Sequence, residues 1–451
     1  MSAANSCAHA AARQLLVDSR ARNTSVLRRI SPPRSGSHSL FSSGGCKVDV
    51  NWIKRITKSG DRFSHQGEKQ MSSPRPFLVP SLLVLYFSLA SSPGLRAAEY
   101  SIIEIPPPLI HAAGLNNHGD VAGDAGAGTG PFNLAGAFVY YHHNGEVTQL
   151  PCQGTLCSAT AAGIDDHGDV IGSNFSQDTR LTVIIWLSNG GVTVLANTFF
   201  STGSGLNNRN QAVWTGNSIH GIQTGVVSDL LGQAEIPLIS LLECGQGFCE
   251  AQSGGVAIND RGHAVGWSNW GAEPPFEPGA GQTVSGTHAV LWVNGSPKDL
   301  GALGDNTDAS ANGVNNFDEV VGGSTVGGAS HAFLYRKGKM SDLGNLPREP
   351  QLNSNADDIN DRGEIVGWSD VRLDADHSVR QRAFVMKNRQ MENLTFLLDP
   401  DVWAKIRLTE ATAVNCHGWI AANGYEAATG AKHAYLLLPR GPHRKECLHR
   451  R

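Results

Sequence analysis

Side chains that could bind a ligand are concentrated in one long, irregular segment after residue 266. Its aromatic and acidic members are Trp267, Trp270, Glu273, Phe276 and Glu277. Binding residues concentrate on loops carried by rigid scaffolds, and exposed aromatic rings beside carboxylates suit carbohydrate or peptide surfaces. Because Trp368 occupies the place of Trp267 in a later segment, we expect those two rings to pack inside the fold. Trp270 and Phe276 are the predicted exposed members of this binding loop.

Histidine recurs at one position in three later segments, each time just before Ala and an apolar run. These residues are His288, His331 and His433. If they faced a common axis, they could bind a metal or act as bases. Gly136 and Arg382 stand at the equivalent position elsewhere, so a symmetric ring of ligands is broken. We therefore expect each His to form a hydrogen bond within its own structural unit.

Two acidic segments, residues 165–169 and 360–364, partly resemble calcium loops. Calcium needs roughly six to eight oxygen ligands, supplied at alternate positions of one loop. That alternation is not met here, and the residue after each last acid is apolar, as expected for the start of a strand. Asn, Asp and Gly favour tight turns, so we predict hairpin turns at both places, with no metal and no cofactor.

The sequence contains no common nucleophile, phosphate-loop or zinc-protease motif: G-x-S-x-G, G-x-x-x-x-G-K-[ST] and H-E-x-x-H are all missing. The Gly-rich stretch 123–130 is followed by Pro131 where a dinucleotide motif needs Gly, which indicates a loop. Carboxylate pairs suited to glycoside hydrolysis could come from many Asp and Glu residues, and the sequence does not choose among them. No catalytic residue is predicted.

The cysteines indicate an oxidising compartment. Two C-x4-C pairs stand in similar surroundings: Cys152 with Cys157, and Cys244 with Cys249. We predict a local disulfide in each pair, because a zinc site would need four ligands at short spacing. Cys416 and Cys447 remain, and either they pair with each other or Cys447 lies in the basic tail.

One pattern recurs seven times from residue 112 onward, for example AAGIDDHGDVIG (161–172) and ADDINDRGEIVG (356–367). Its aligned Asn or Asp residues are at 116, 165, 207, 259, 315, 360 and 415, which are 42 to 56 residues apart. Each copy reads as a strand, a tight turn and a second strand, because Asn and Gly accept the positive φ of hairpin turns. A second hairpin follows in most copies, which gives four strands per unit.

The two ends of the repeat region complement each other. The seventh unit ends near residue 439 without a fourth strand, whereas residues 99–107 form an unpaired strand before the first unit. That strand can complete the last unit and close a ring, which removes exposed strand edges. We predict an all-β fold over 99–439: a seven-bladed β-propeller with four-stranded antiparallel blades, closed by strand 99–107. An open solenoid is the rival architecture, but it needs a polar cap rather than a complementary strand.

The order I-N-x-x-G-x-V-V-G, then H-A-F-L-W, then D-L-G-x-L resembles the HAF repeat family of bacterial extracellular proteins. The resemblance is clearest in residues 255–346 and covers almost the whole chain after residue 99. It implies export and β architecture, and little about chemistry. Unit three departs from the pattern, with GVVSDL (225–230) where HAFLW would stand.

The N-terminal part differs in composition from the repeats. Residues 1–70 carry 12 Lys and Arg against 4 Asp and Glu. We predict either that they form a disordered extension or that they are included only because the start codon was assigned too early. Residues 71–98, with the apolar run 77–90, have the three parts of a signal peptide, whose removal leaves no stable membrane span. An uncleaved anchor is the alternative, because Leu95 or Arg96 stands where a cleavage site prefers a small residue. Residues 440–451 form a basic, disordered tail. We predict a secreted protein, extracellular or periplasmic.

Charge and turn-rich composition limit the function classes. The chain has a net charge of −4. The N-terminal extension and the signal peptide are positively charged, so the part of the chain from residue 99 onward has a net charge near −14. A protein with this negative charge repels the phosphate backbone of nucleic acid. We predict a binding or scaffold module for a polysaccharide or a surface or extracellular protein. A hydrolase or lyase at the mouth of an axial channel is the alternative, and a structural envelope component is a third interpretation.

Overall fold

The computed structural model describes residues 97–126, 136–176, 180–196, 201–217, 222–242, 251–271, 286–305, 307–346, 349, 351–373, 377–387 and 389–441. The predicted extension 1–70, nearly all of the predicted signal peptide and most of the basic tail lie outside these residues. So do Glu273, Phe276 and Glu277 of the predicted binding loop, and the predicted Cys244–Cys249 disulfide. In the described ranges, no helix is long and apolar enough to cross a membrane.

The chain folds into seven four-stranded antiparallel sheets, which are the blades of a β-propeller. Strand β1 (Tyr100–Glu104) precedes blade one. Blade one contains β2 (His111–Leu115), β3 (Val121–Asp124), β4 (Ala137–Tyr141) and β5 (Glu146–Gln149). Blade two contains β6 (Ser158–Ile164), β7 (Val170–Ser176), β8 (Arg180–Trp186) and β9 (Val192–Ala196). Blade three contains β10 (Thr202–Asn207), β11 (Gln211–Asn217), β12 (Gln223–Asp229) and β13 (Glu235–Pro237).

The remaining blades follow the same order. Blade four contains β14 (Ser253–Ile258), β15 (Ala264–Asn269), β16 (Thr287–Val293) and β17 (Ser296–Gly301). Blade five contains β18 (Ala309–Val314), β19 (Val320–Val326), β20 (Ala329–Arg336) and β21 (Lys339–Gly344). Blade six contains β22 (Ser354–Ile359), β23 (Ile365–Arg372), β24 (Val379–Lys387) and β25 (Gln390–Asn393). After a 3₁₀ turn (Leu394–Leu397) and the short helix α1 (Pro400–Trp403), blade seven contains β26 (Ile406–Val414), β27 (Ile420–Glu426) and β28 (Lys432–Pro439).

The predicted seven-bladed propeller and its closure are confirmed. Strand β1 pairs antiparallel with β28, from Tyr100 opposite Pro439 to Glu104 opposite Tyr435. The last sheet therefore runs β1-β28-β27-β26 and has its full four strands. Blade three is also complete, because GVVSDL lies in β12 and pairs with β11 and β13.

Every blade has a β-bulge at the same place between its first and second strands. In five blades the second strand lies very close to the first at this bulge, which explains the glycine of the V-V-G motif. A Cβ atom at Gly266 would lie 1.9 Å from the carbonyl oxygen of Gly254, and one at Gly322 would lie 2.0 Å from that of Ser310, so only glycine fits there. Blades three and seven have the same bulge with Trp214 and Ala422 at this position.

The hydrophobic core lies between adjacent blades. One cluster joins Leu291 of blade four to Phe333 of blade five, and another joins Phe384 of blade six to Val321 of blade five. Ile105, which follows β1, is buried between blades seven and one. Burying these large side chains contributes roughly 2 kcal/mol each, so every blade is stabilised by both neighbours.

Candidate functional site

The turns between the first and second strands form a ring around one end of the central channel. In all seven turns, the first Asn or Asp accepts hydrogen bonds through Oδ1 from the N–H groups two and four residues later. This geometry is an Asx turn, with the fourth residue in the left-handed region, for example φ 88° at Gly119 and 84° at Gly168. The predicted turns at 165–169 and 360–364 are confirmed.

The same residues also join the blades, which the sequence analysis did not foresee. In six of the seven turns the first residue is Asn, and its Nδ2 donates to the carbonyl oxygen of the first turn residue in the next blade, at 2.9–3.1 Å. The bond from Asn415 to Asn116 O closes the circle between blades seven and one. We name this circle the turn ring. The side chain of Asp165 has no amide group, so it cannot donate the seventh hydrogen bond of the ring, to Asn207 O.

A second circle of polar residues lies beside the turn ring and lines the same channel end. Its members are Asn117, Asp166, Asn208, Asp260, Asn316, Asp361 and Cys416. Backbone N–H groups donate to the side-chain oxygen of the next member at 2.8–3.0 Å in six places. The carboxylates in this circle are therefore occupied with holding blades together. Among the described residues, no group of three or more His, Cys, Asp or Glu is placed to hold a metal ion.

Completing the turn ring is expected to stabilise the protein. Burial raises the pKa of the Asp165 carboxyl, so its ionised form is less favourable in the folded state than in the unfolded chain. Asp165→Asn keeps the Oδ1 acceptor and adds an Nδ2 donor for Asn207 O. We expect the free energy of unfolding to rise by about 1 kcal/mol at pH 7, measured by urea denaturation.

The reverse change, Asn259→Asp, is the matched control for this prediction. It keeps the turn but removes both bonds from Nδ2 to blade five, to Asn315 O and to Asp318 Oδ1, so we expect a loss of at least about 1 kcal/mol. Because folding favours the protonated form of Asp165, the benefit of Asp165→Asn should shrink as the pH falls. An unchanged or lower stability of Asp165→Asn at pH 7 contradicts the account of the ring.

One blade breaks the pseudo-symmetry of the channel wall. Where most blades carry small residues before the turn, as in Ala-Gly at 162–163, blade six carries Asp357 and Asp358 on β22. Asp358 is held by the N–H of Val414 in blade seven and by the N–H of Ile359, at 2.8 Å each. Asp357 Oδ1 accepts a hydrogen bond from Asn355 Nδ2, whose Oδ1 accepts from Asn312 of blade five. Asp357 Oδ2 is buried and has no hydrogen-bond partner among the described residues.

Both carboxyls are electrostatically strained. Burial raises the pKa of Asp358 to about 6, and burial together with the charge of Glu410 raises the pKa of Asp357 well above its ordinary value. Asp358 has a structural role, because it joins blades six and seven through Val414 N. Strongly perturbed acids are also typical of functional sites.

Glu410 connects this wall to a cleft where blades seven and one meet. The cleft has a volume of about 420 Å³ and lies at the inner-strand ends remote from the turn ring. We name it the seam cleft; its polar and aromatic lining includes His111, Asp124, Glu410, Asn423, Tyr425 and Lys432.

The seam cleft is built by the closure of the ring. Asn423 of β27 accepts a hydrogen bond from Ala112 N at 2.8 Å and donates to Ala112 O at 3.1 Å, which joins blade seven to blade one. Its Nδ2 also reaches Glu410 Oε2 at 3.3 Å. His111 Nδ1 lies 3.3 Å from Asp124 Oδ2, and this hydrogen bond raises the pKa of His111. The cleft therefore presents acids, bases, an amide and a phenol close together.

The predicted binding loop is only partly described. Trp267 is half-buried, and its ring lies against Gly254 in the neighbouring strand. Trp270 is also half-buried, and its ring stacks on that of His288 with 4.2 Å between centroids. These two Trp residues lie in blade four, apart from the seam cleft between blades seven and one, so the structure does not bring them together with Glu410. The exposure of Trp270 and Phe276 to a ligand stays a prediction.

The expectation for the repeated histidines is confirmed. His288 bonds Asp299, and His331 bonds Asp342, each at 2.9 Å and each within one blade. These aspartates also accept from the N–H of a glycine two residues later, which explains the D-L-G motif. In blade seven His433 lies 2.8 Å from Glu104 of β1.

The predicted Cys152–Cys157 disulfide is present, with Cα atoms 5.9 Å apart. It closes a short loop between β5 and β6. Cys416 is disulfide-bonded, and Cys447 lies outside the described residues.

Comparisons with known proteins find distant structural similarity. No family model matches the sequence, and no curated protein matches it. Among solved structures, the β-propeller domain of the Trilobed protease from Pyrococcus furiosus has 8% identity and a TM-score of 0.47, with 78% of this chain and 100% of that chain covered. Acylaminoacyl peptidase from Pyrococcus horikoshii has 10% identity and a TM-score of 0.46, with coverage of 76% and 52%. TolB from Acinetobacter baumannii has 8% identity and a TM-score of 0.34, with coverage of 68% and 76%.

Proposed function

We propose that this propeller is an exported binding module whose ligand, a carbohydrate, occupies the seam cleft. The observation that supports this most directly is the convergence of Glu410, Asn423, Tyr425 and Lys432 on one cleft at the ring closure. Carboxylates, amides and ammonium groups suit sugar hydroxyls, which both donate and accept hydrogen bonds. A tyrosine side chain combines an apolar ring with a polar tip, which suits the mixed surface of a sugar ring.

Export and family membership are part of this proposal. The apolar run 77–90, the C-x4-C pairs and the HAF-like repeat motifs support it at the level of sequence. The disulfide between Cys152 and Cys157 adds support, because such bonds persist mainly in oxidising compartments.

A glycan array on the full chain tests the ligand class and the site together. We expect saturable binding that falls at least about tenfold in Glu410→Gln/Tyr425→Ala and less than about twofold in Trp270→Ala/Phe276→Ala. Both variants should melt within a few degrees of the unmodified protein. Loss of binding in the Trp270 and Phe276 variant alone places the site on the blade-four loop, and no glycan binding at all contradicts the proposed function.

A hydrolase or lyase at the channel mouth is the second candidate, because the adjacent Asp357 and Asp358 of β22 both carry raised pKa values and Glu410 lines the seam cleft. Carboxylates with separated pKa values are the usual acid and base of glycoside cleavage. Release of new reducing ends or unsaturated sugars from a bound glycan, lost in Glu410→Gln, supports this function. Binding without product release excludes it for that glycan.

A further inference from the structure

The connection between blades six and seven exposes two aromatic rings that contact each other. Phe396 of the 3₁₀ turn is 61% exposed, and Trp403 at the end of α1 is half-buried. Their ring centroids are 5.6 Å apart, and the ring planes meet at 87°. We name these two residues the aromatic pair. Because the rings are nearly perpendicular, the pair forms a corner with an apolar wall on each side.

The segment that carries the aromatic pair is firmly anchored. Thr395 N donates to the side chain of Asn393 at 3.0 Å, which caps the 3₁₀ turn. Thr395 Oγ1 accepts from Leu408 N of β26 at 3.1 Å. Three leucines around Phe396 are almost fully buried: Leu394, Leu397 and Leu398. The fold therefore holds the ring of Phe396 in solvent, as is typical of binding residues on a rigid scaffold.

Charged groups surround the aromatic pair on the same segment. Asp399, one helical turn before Trp403, is paired with Arg440, with 3.0 Å between Oδ1 and Nη1. Asp401 and Lys405 are exposed. Protein–protein interfaces cover about 800 Å² on each partner, and charged residues are depleted from their cores. Two rings among charged groups suit a sugar better, because its C–H face packs on a ring while its hydroxyls bond the charges.

The aromatic pair lies at the same end of blade seven as Tyr425, which lines the seam cleft. Arg407 Nη1 donates to the carbonyl oxygen of Trp403, and Arg407 stands opposite Tyr425 in the pairing of β26 with β27. Ala427 N donates to Lys405 O at 2.6 Å, so the chain after α1 is held against the β27–β28 turn. One residue, Arg407, therefore links the aromatic pair to the edge of the cleft.

We propose that the ligand of the seam cleft is a linear glycan that continues past Tyr425 onto the aromatic pair. This inference rests on the proposed carbohydrate function and narrows its ligand to chains of several sugars with equatorial hydroxyls. A cleft of about 420 Å³ encloses one small ligand, so the rest of a longer chain lies outside it. Sugars with equatorial hydroxyls have flat C–H faces, which stack on aromatic rings.

Calorimetric titration of the full chain with cellobiose and cellohexaose tests this inference. Both probes are uncharged, β-1,4-linked and equatorial in their ring hydroxyls, so they differ only in length. We expect the hexaose to bind at least about thirtyfold tighter. Phe396→Ala/Trp403→Ala should reduce that ratio to about fivefold or less without weakening cellobiose, because only the longer chain reaches the aromatic pair. The remaining ratio reflects the larger number of sugar units that a hexaose offers to the cleft.

Leu231→Ala is the matched control, because it removes a similarly exposed apolar side chain, 63% exposed, from blade three. It should leave the ratio unchanged. Glu410→Gln should weaken both probes, because Glu410 lines the cleft that both occupy. If Trp403→Ala does not fold, Phe396→Ala alone carries the test, because most of its ring lies outside the core.

The outcomes separate this inference from the proposed function. Equal binding of both probes, or of other glycans but neither probe, overturns the inference and leaves the carbohydrate function standing. A thirtyfold ratio that survives in the aromatic variant overturns the assigned residues. Loss of cellobiose binding in that variant makes the aromatic pair the main site and overturns the extension from the cleft. Self-association of the chain that Phe396→Ala abolishes assigns the pair to a protein interface and overturns the inference. Failure of every glycan of the array overturns both proposals.

Discussion

Ile105→Asp is expected to lower the free energy of unfolding by at least about 4 kcal/mol, the largest effect of any single change considered in this chain. Ile105 is 1% exposed and packs between blades seven and one, beside Leu436 and Phe138. Its N–H donates to Ala434 O at 2.9 Å. A carboxylate at this point would be buried among the apolar side chains of this cluster and would separate the strand that closes the ring from its neighbours.

The measurement is urea unfolding combined with hydrogen exchange. The first amides to lose protection should be those of β1 and β28, because the closing strand is held by a partner more than 300 residues away in sequence. Ile105→Val is the control and should cost about 1 kcal/mol. A loss below about 1 kcal/mol for Ile105→Asp, or an early loss of protection in another blade, contradicts the role of β1 as the closure.

Asp358 is expected to make stability depend on pH between about 4 and 6. Its pKa is raised by burial to about 6 in the folded protein, whereas an unfolded Asp titrates near 3.9. The folded state therefore favours the protonated acid. This contribution to stability is full below about pH 4 and is lost as pH rises through 6. Two pKa units correspond to a change of about 3 kcal/mol.

Asp358→Asn removes this dependence, because an amide carries no charge, but its single oxygen can keep only one of the two bonds from Val414 N and Ile359 N. We expect the variant to be about 1 kcal/mol less stable than the unmodified protein at pH 4, and the difference to move by up to about 3 kcal/mol in favour of the variant by pH 7. Urea unfolding at pH 4, 5, 6 and 7 measures the difference, and Glu235→Gln should show no such trend. A difference between the Asp358→Asn variant and the parent that is constant across pH contradicts the assigned pKa shift.

The repeat pattern predicted most of the architecture because each unit is folded by local chemistry. The Asn and Gly of the turns, the alternation in the strands and the orphan strand 99–107 are all visible in the chain, and together they define seven blades and their closure. The hydrogen bonds between the repeated His and the Asp of D-L-G are also local, since both partners lie in one blade.

The candidate site could not be predicted in the same way, because two of its features depend on the closed ring. Glu410 and Asn423 belong to the last unit, whereas His111 belongs to the first, and no local pattern joins them. The inter-blade bonds of the turn ring are equally non-local. One signal was present in the sequence: unit six reads Asp-Asp where unit two reads Ala-Gly, and a strict alignment of the repeats exposes that substitution.

The central claim is that a carbohydrate ligand occupies the seam cleft, and hydrogen exchange of the full chain, saturated with the tightest-binding glycan of the array, tests it most directly. The account predicts slower exchange in β2, β26 and β27 and no change around Trp270. Protection confined to the blade-four segment around residues 269–287, or spread evenly over all seven blades, would contradict it.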